Sequence, residues 1–467
     1  MTFIWSILGF AILIGVLVTI HEWGHYAVAR LFKVKVLQFS VGFGKSVYSI
    51  KRGETEYRLG MIPLGGYVKF LDERVEPVAD NEKHRAFNQQ SVYKRFAIVL
   101  AGPMVNLVFA WLVFAVIGMI GIHSAKPIFQ TPQADTPLAH AFSQAGLPLS
   151  EQSNQTWWLQ KINNQSISSW QQVQQSVLQA LVHDQKTIEL EFSSFENGFD
   201  LLQSVELPLN RLDINQLSTP WLSMLGFVPE GPRLEAILGQ LTSGSPADIA
   251  GLQTGDKVVR LGEKSIEDWR ALVEWVHQHP GQTVELVYQR NAASYSTQIT
   301  LESIRLDNGD VIGRLGAAVL APDKLDERYM MTERYNLFSA IGYGWDQTVR
   351  LFNMTIAMFK KMLFGEVGLQ HLSGPISIAD FSGKALQTGL ISFLSLMALL
   401  SLSLGILNLL PIPMLDGGHL MFYVYEMLRG KPVGERVEEV AYRIGLVMIA
   451  GLTILALSND VIRITNG

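Results

Sequence analysis

His21-Glu22-Trp23-Gly24-His25 closes an apolar run, Phe3 to Ile20, that approaches the ~20 residues needed to cross a bilayer. Residues four apart share one face of a helix, so both imidazoles can reach a single cation, with Glu22 beside them to hold a water. Two histidines and a glutamate at membrane depth are costly unless they are used or paired. The plain alternative is an interfacial helix end with two solvated histidines. No Lys or Arg precedes the run and no small-x-small cleavage site follows it. It therefore reads as a retained transmembrane helix and not a signal peptide.

The composition agrees. Charged residues make up 17% of the 467, against roughly 25% in soluble domains, and mean hydropathy is +0.20. The net charge of −5 offers no footing for nucleic acid. There is no cysteine, which excludes disulfides and thiolate metal sites, so any zinc must sit on His, Asp or Glu. Three further segments are apolar enough to span: about Phe96 to Ile122, Ile391 to Leu410, and Ile444 to Leu457. Between the first two spans, Phe39 to Phe70 alternates and is punctuated by Gly42, Gly44, Gly53, Gly65 and Gly66, the pattern of a small hairpin sheet. Basic residues cluster after the first span (Arg30, Lys33, Lys35), before the second (Lys94, Arg95) and between the last two (Arg429, Lys431, Arg436, Arg443). By the positive-inside rule these loops are cytoplasmic, and both termini lie outside.

A hydrolytic zinc takes three protein ligands and keeps one position open. Asn408-Leu409-Leu410-Pro411-Ile412-Pro413-Met414-Leu415-Asp416-Gly417-Gly418 offers the third. Pro411 and Pro413 must break a helix there, which is tolerated at membrane depth only in a buried or wet site. Asp416 follows at once, His419 competes with it, and Glu426 is a weaker choice. An ordinary interfacial turn is the plain reading.

From Lys126 to about Pro322 the chain is polar and repeats itself. Ser166-Ile167-Ser168-Ser169-Trp170 parallels Ser265-Ile266-Glu267-Asp268-Trp269. Pro137 with Ala145-Gly146-Leu147 parallels Pro246 with Ala250-Gly251-Leu252, and the first copy carries an insertion, Pro148 to Thr156. Ser245-Pro246-Ala247-Asp248-Ile249-Ala250-Gly251-Leu252 resembles a PDZ domain of the bacterial protease type, which implies two tandem PDZ-like domains.

Taken together, the two membrane motifs resemble the H-E-x-x-H and L-D-G signatures of the site-2 protease family of intramembrane metalloproteases. Gly42-Phe43-Gly44 is similar to the family's G-x-G in a membrane-dipping β-loop. Gly102-Pro103-Met104-Val105-Asn106 is similar to its G-x-x-x-N in the second helix, and Gly374-Pro375-Ile376 to the start of the third. The resemblance implies that His21, His25 and Asp416 hold Zn2+ and that Glu22 is the catalytic base. It implies single-span membrane proteins as substrates, trimmed beforehand on the outer side, such as an anti-sigma factor in an envelope stress response, and remnant signal peptides as a further class. It implies an inner-membrane protein with the active site towards the cytoplasm and the PDZ-like domains in the periplasm.

The expected fold is a polytopic α-helical membrane protein of about four spans, with a membrane-associated hairpin sheet and two PDZ-like α+β domains. The expected division is 1–122 (two spans with the hairpin), 123–221 and 222–322 (the PDZ-like pair), 323–373 (an amphipathic linker) and 374–467 (two spans). Phe338 to Phe364 must not cross, or Asp416 would face the wrong side; Asp346, Arg350, Lys360 and Lys361 suit an amphipathic segment lying on the outer membrane surface or packed on the protein. Gly65, Gly66 and Tyr67 of the hairpin are candidates to hold an unwound substrate by β-addition, and Asn408 to clamp its backbone. A sheet edge and a helix-packing amide are the plain readings of these residues. Gly102 and Asn106 read as helix-packing positions. The PDZ-like pair suits peptide C-termini or a size filter, and lipids are the remaining partner. The competing class is a PDZ membrane scaffold without catalysis, against which the intact Glu22 argues.

Overall fold

The computed structural model describes residues 2–148, 155–195, 202–210, 212, 221–232, 234–305, 311–320, 327–369 and 372–466. Helix α1, Thr2–Leu31, is apolar along its length until the histidine motif. It then continues for six residues past His25, so the motif lies inside the helix and not at its end. The stop comes where Lys33 adopts a left-handed φ of 62° and the amides of Lys33 and Val34 return to Arg30 and Ala29.

Two strands follow, β1 (Val36–Arg52) and β2 (Thr55–Phe70). They are more than a simple hairpin. Ser40 pairs with both Arg58 and Tyr67, and Val41 with both Leu59 and Gly66, so the first half of β1 is flanked by both halves of β2. Gly42 and Gly44, each at a left-handed φ, and Gly65 make the bends that fold each strand back. The Gly66–Phe70 segment is thereby left paired on one side only.

Helix α2, Val92–Ile120, absorbs Pro103 without breaking. Among the described residues, four helices are long and apolar enough to cross a membrane: Ile4–Leu31, Val92–Ile120, Leu390–Leu409 and Glu435–Arg463. The last is twice as long as the run Ile444 to Leu457 suggests.

Beyond α2, two helix-on-sheet units follow one another, each with its own apolar core. The first contains α3 (Pro137–Gln144), α4 (Trp170–Val182) and α5 (Trp221–Leu225) against the antiparallel strands Ile128–Gln130, Thr156–Ile162, Thr187–Ser194 and Gln203–Pro208. The second contains α6 (Pro246–Ile249) and α7 (Trp269–Gln278) against Lys257–Leu261, Thr283–Arg290 and Ala293–Thr300. The repeat seen in the sequence sets matching helix starts. Thr136 and Ser245 cap the two Pro-led helices, and Ser169 and Asp268 cap the two Trp-led ones. A further match was not visible. Gly226 and Gly316 both take a left-handed φ, and a β-carbon on either would strike the capping hydroxyl of Thr136 or Ser245. The insertion between Pro148 and Thr156 and the boundary near Pro322 fall largely outside the described residues.

Strand Met330–Glu333 pairs with Ile122–Ala125 and returns the chain to the end of α2. Helix α8, Leu337–Leu363, starts there under an Asn336 cap and lies against α2. Trp111 donates its indole N–H to the carbonyl of Ile341 at 3.0 Å and meets Trp345 edge-on at 5.7 Å. Phe338, Trp345 and Leu363 stay exposed, while Lys361 is buried and reaches Asp184 of the first unit and Glu366.

Gly374-Pro375-Ile376 begins a separate helix, α9 (Pro375–Thr388), packed on α1; it is not the start of the third span. That span is α10, Leu390–Leu409, which begins after Gly389 turns the chain at φ 135°. The proline pair then breaks the chain, with Met414 at φ 85°, a conformation that costs a non-glycine residue energy. Helix α11, Asp416–Arg429, and helix α12, Glu435–Asn466, complete the chain. Asp460 of α12 is fully buried and accepts from the amides of Gly374, Ile376 and Ser377 and from the Ser377 hydroxyl, so it caps α9 from a distance.

Candidate metal centre

Asp416 is the first residue of α11, delivered by the proline break to the inner face of α1. Its Oδ2 lies 3.2 Å from His21 Nε2 and 3.5 Å from His25 Nε2, and the two Nε2 atoms are 3.3 Å apart. A tetrahedral zinc with ligand bonds of 2.0–2.1 Å separates its ligand atoms by about 3.3 Å. The three atoms thus already form one face of a zinc tetrahedron. Asp416 Oδ2 is buried and makes no hydrogen bond, which is expensive for a carboxylate unless a cation faces it. Among the described residues this trio is the group of His, Asp and Glu atoms close enough to share a cation. The donor set and its orphaned oxygen fit zinc.

The imidazoles are held from behind. His25 Nδ1 lies 2.9 Å from the carbonyl of Ile98, which can only accept, so Nδ1 carries the proton and Nε2 is free to ligate. His21 Nδ1 lies 3.2 Å from the side-chain amide of Asn106, whose other atom is buried without a partner. With the amide turned so that its oxygen faces His21, the buried oxygen gains a partner, Nδ1 bears the proton and Nε2 is left unprotonated as well. Gly102, one turn before Asn106, lets the rings in, since a β-carbon there would lie 2.3 Å from His25 Nε2. The packing role read from the sequence therefore holds for Gly102, while Asn106 does more than pack: it touches a ligand. A Gly and an Asn four apart on one face of an apolar span was the available signal.

The tight turn after α10 also depends on a glycine. A β-carbon on Gly417 would lie 2.0 Å from the carbonyl of Leu410, so no other residue allows α11 to start where it does.

Glu22 is buried beside the trio, and Gly66 of the hairpin packs directly on it. Asn408, in the last turn of α10, brings its amide nitrogen to 3.4 Å from His21 Nε2. Gly65, Gly66, Tyr67 and Asn408 all line the same cavity of about 1140 Å³ as His21, Glu22, His25 and Asp416. Tyr67 stacks on Phe43 and donates to Gln38. The two competing ligands are engaged elsewhere. Glu426 accepts from Arg95 at 2.7 Å, and His419 sits 3.3 Å from the hydroxyl of Tyr442.

The sequence model of peptidase family M50 matches residues 9–452. The chain belongs to peptidase family M50. Its relatives match it end to end. Protease RseP of Yersinia pestis is 35% identical over 465 residues, which cover 99% of this chain and 100% of that protein. Regulator of sigma-E protease RseP of Escherichia coli K12 is 36% identical over 466 residues, covering 99% of this chain and 100% of that protein. The regulator of sigma E protease of Haemophilus influenzae is 35% identical over 467 residues, covering 99% and 100%. Relatives from Neisseria meningitidis and Vibrio cholerae carry the words zinc metalloprotease in their names. As an M50 member the chain is a metalloprotease of the site-2 type and an integral membrane protein.

Proposed function

We propose that this M50 protease binds one zinc through His21, His25 and Asp416 and hydrolyses peptide bonds in or near the transmembrane segments of single-span proteins. The observation that carries the reading is the zinc-sized triangle of ligand atoms with Glu22 buried beside it, inside one cavity bounded by a half-paired strand. Zinc would supply a Lewis acid for the scissile carbonyl and a water that loses its proton near pH 7. Glu22 takes that proton and returns it to the departing amine. A transmembrane helix satisfies its own backbone, so the substrate must unwind before attack. The Gly66–Phe70 edge offers the unwound strand a partner, with Gly65, Gly66 and Tyr67 along it. Asn408, which both donates and accepts, clamps the strand on the other wall.

The relatives named as regulators of sigma-E support an anti-sigma factor as substrate, cut a second time after an outer-side trim, with remnant signal peptides as a further class. The basic loops support an inner-membrane orientation with the metal centre towards the cytoplasm and the two α/β units, read as tandem PDZ domains over 123–221 and 222–322, in the periplasm. A cavity of about 960 Å³ between Gln240–Ser243, α7 and Gly316 in the second unit suits a peptide C-terminus. The amphipathic α8 suits the outer membrane surface.

The deciding experiment uses full-length protein in detergent with a single-span test peptide. Wild type should hold about one zinc per chain and cut within the span. Glu22→Gln should keep zinc without cutting, and Asp416→Ala should lose zinc. Cleavage by Glu22→Gln at the wild-type rate would remove the catalytic assignment.

A further inference from the structure

His419 was a candidate ligand that the metal trio does not use, and its surroundings give it another task. We propose that His419 carries a second proton in the cleavage step, steered by Tyr442 and Glu438 of α12; the proposal rests on the protease reading above. His419 lies one turn after Asp416 on the same face of α11, and both line the cavity that contains His21 and Glu22. Tyr442 donates its one hydroxyl proton to Glu438 Oε1 at 3.0 Å. Its oxygen is then an acceptor for His419 Nδ1, 3.3 Å away, so Nδ1 bears the proton and Nε2 is left with its lone pair. Helix α12 comes up against the proline break here, where Gly445 abuts the carbonyl of Pro413. The charged and titratable groups around the ring are Asp416 of α11, Glu438 and Tyr442 of α12, Arg74 after the hairpin and His25 of α1.

The proton count leaves a second transfer for such a group to perform. Hydrolysis joins the water oxygen to the carbonyl carbon and breaks the carbon–nitrogen bond, whose electron pair stays on nitrogen. That nitrogen keeps its own hydrogen and gains both water hydrogens to leave as an ammonium group. Glu22 carries the first proton. The second sits on the hydroxyl of the tetrahedral carbon and must move as the bond breaks. Nε2 of His419 takes it and hands it to the nitrogen. While charged, the ring donates from Nδ1 to Tyr442, and the Glu438 carboxylate behind that hydroxyl offsets the charge.

The test compares wild type with His419→Gln, Tyr442→Phe and Glu438→Gln as full-length proteins in detergent on the single-span peptide. Expected is a kcat about 100-fold lower for His419→Gln, the low end for a lost proton carrier, and a smaller loss of about 10-fold for the positioning variants Tyr442→Phe and Glu438→Gln. KM and zinc per chain should be unchanged, and peptide affinity in a Glu22→Gln background should not move. A wild-type kcat in His419→Gln, a loss that appears in KM, or loss of zinc would overturn the proposal while leaving the protease reading intact. A wild type that binds no zinc and cuts nothing would instead fell the protease reading.

Discussion

A β-carbon on Gly102 would lie 2.3 Å from Nε2 of His25 and 3.0 Å from Cε1 of His21. The backbone of α2 thus forms the floor under the two proposed histidine ligands. Gly102→Ala should push both rings away from Asp416 and lower zinc affinity at least 10-fold, with the helices still inserted. Zinc per chain after gel filtration, beside the circular dichroism spectrum, measures it. Full zinc retention would show that the rings can shift without cost.

Asn106 sits behind His21 as Ile98 sits behind His25. Asn106→Ala should cut metal affinity about 10- to 100-fold, as loss of an orienting partner does elsewhere. Asn106→Asp keeps an acceptor for Nδ1 and should recover most of the loss. A chelator competition titration separates the two variants.

Binding zinc to the folded state alone must stabilise it. At a thousandfold excess of zinc over Kd, the gain is roughly 4 kcal/mol. A strong chelator should therefore lower the thermal midpoint of wild type and leave that of Asp416→Ala unchanged. An equal response in both would mean that the ion sits elsewhere.

Asp460 satisfies three amides at the start of α9, and α9 packs along α1. Asp460→Ala should cost roughly 2–4 kcal/mol, since buried amides lose their only acceptor. Ser377→Ala, which removes a single bond to the same carboxylate, should cost about 1 kcal/mol. Thermal unfolding followed by tryptophan fluorescence gives both values.

Much of this was legible beforehand because spans and the histidine motif declare themselves by local pattern. A helical spacing of four and an apolar run mark out His21 and His25, whereas the proline break left Asp416, His419 and Glu426 open, and only the family resemblance favoured Asp416. The folded-back sheet was legible only as a hairpin, since period-two alternation does not reveal that Ser40 has partners on both sides. The role of Asn106 was hidden because a polar residue in an apolar helix looks the same whether it packs or orients a ligand. The separation of α9 from α10 turns on Gly389, and a single glycine in an apolar stretch is a weak stop signal. Which carboxylate caps α9 could not be read at all, because Asp460 comes from a helix 86 residues away from Gly374.

The proposed ligands come from opposite ends of the chain: His21 and Asp416 are 416 − 21 = 395 residues apart. At ~5–20 residues per second, the ribosome adds Asp416 about 20–80 s after His21. From the completion of α2 at Ile120 until Asp416 is added, the first two helices carry two of the three proposed ligands and Glu22 without the third. On the proposed ligand set the enzyme is made without a working site, and its own biosynthesis sets the delay before it can cut a neighbour.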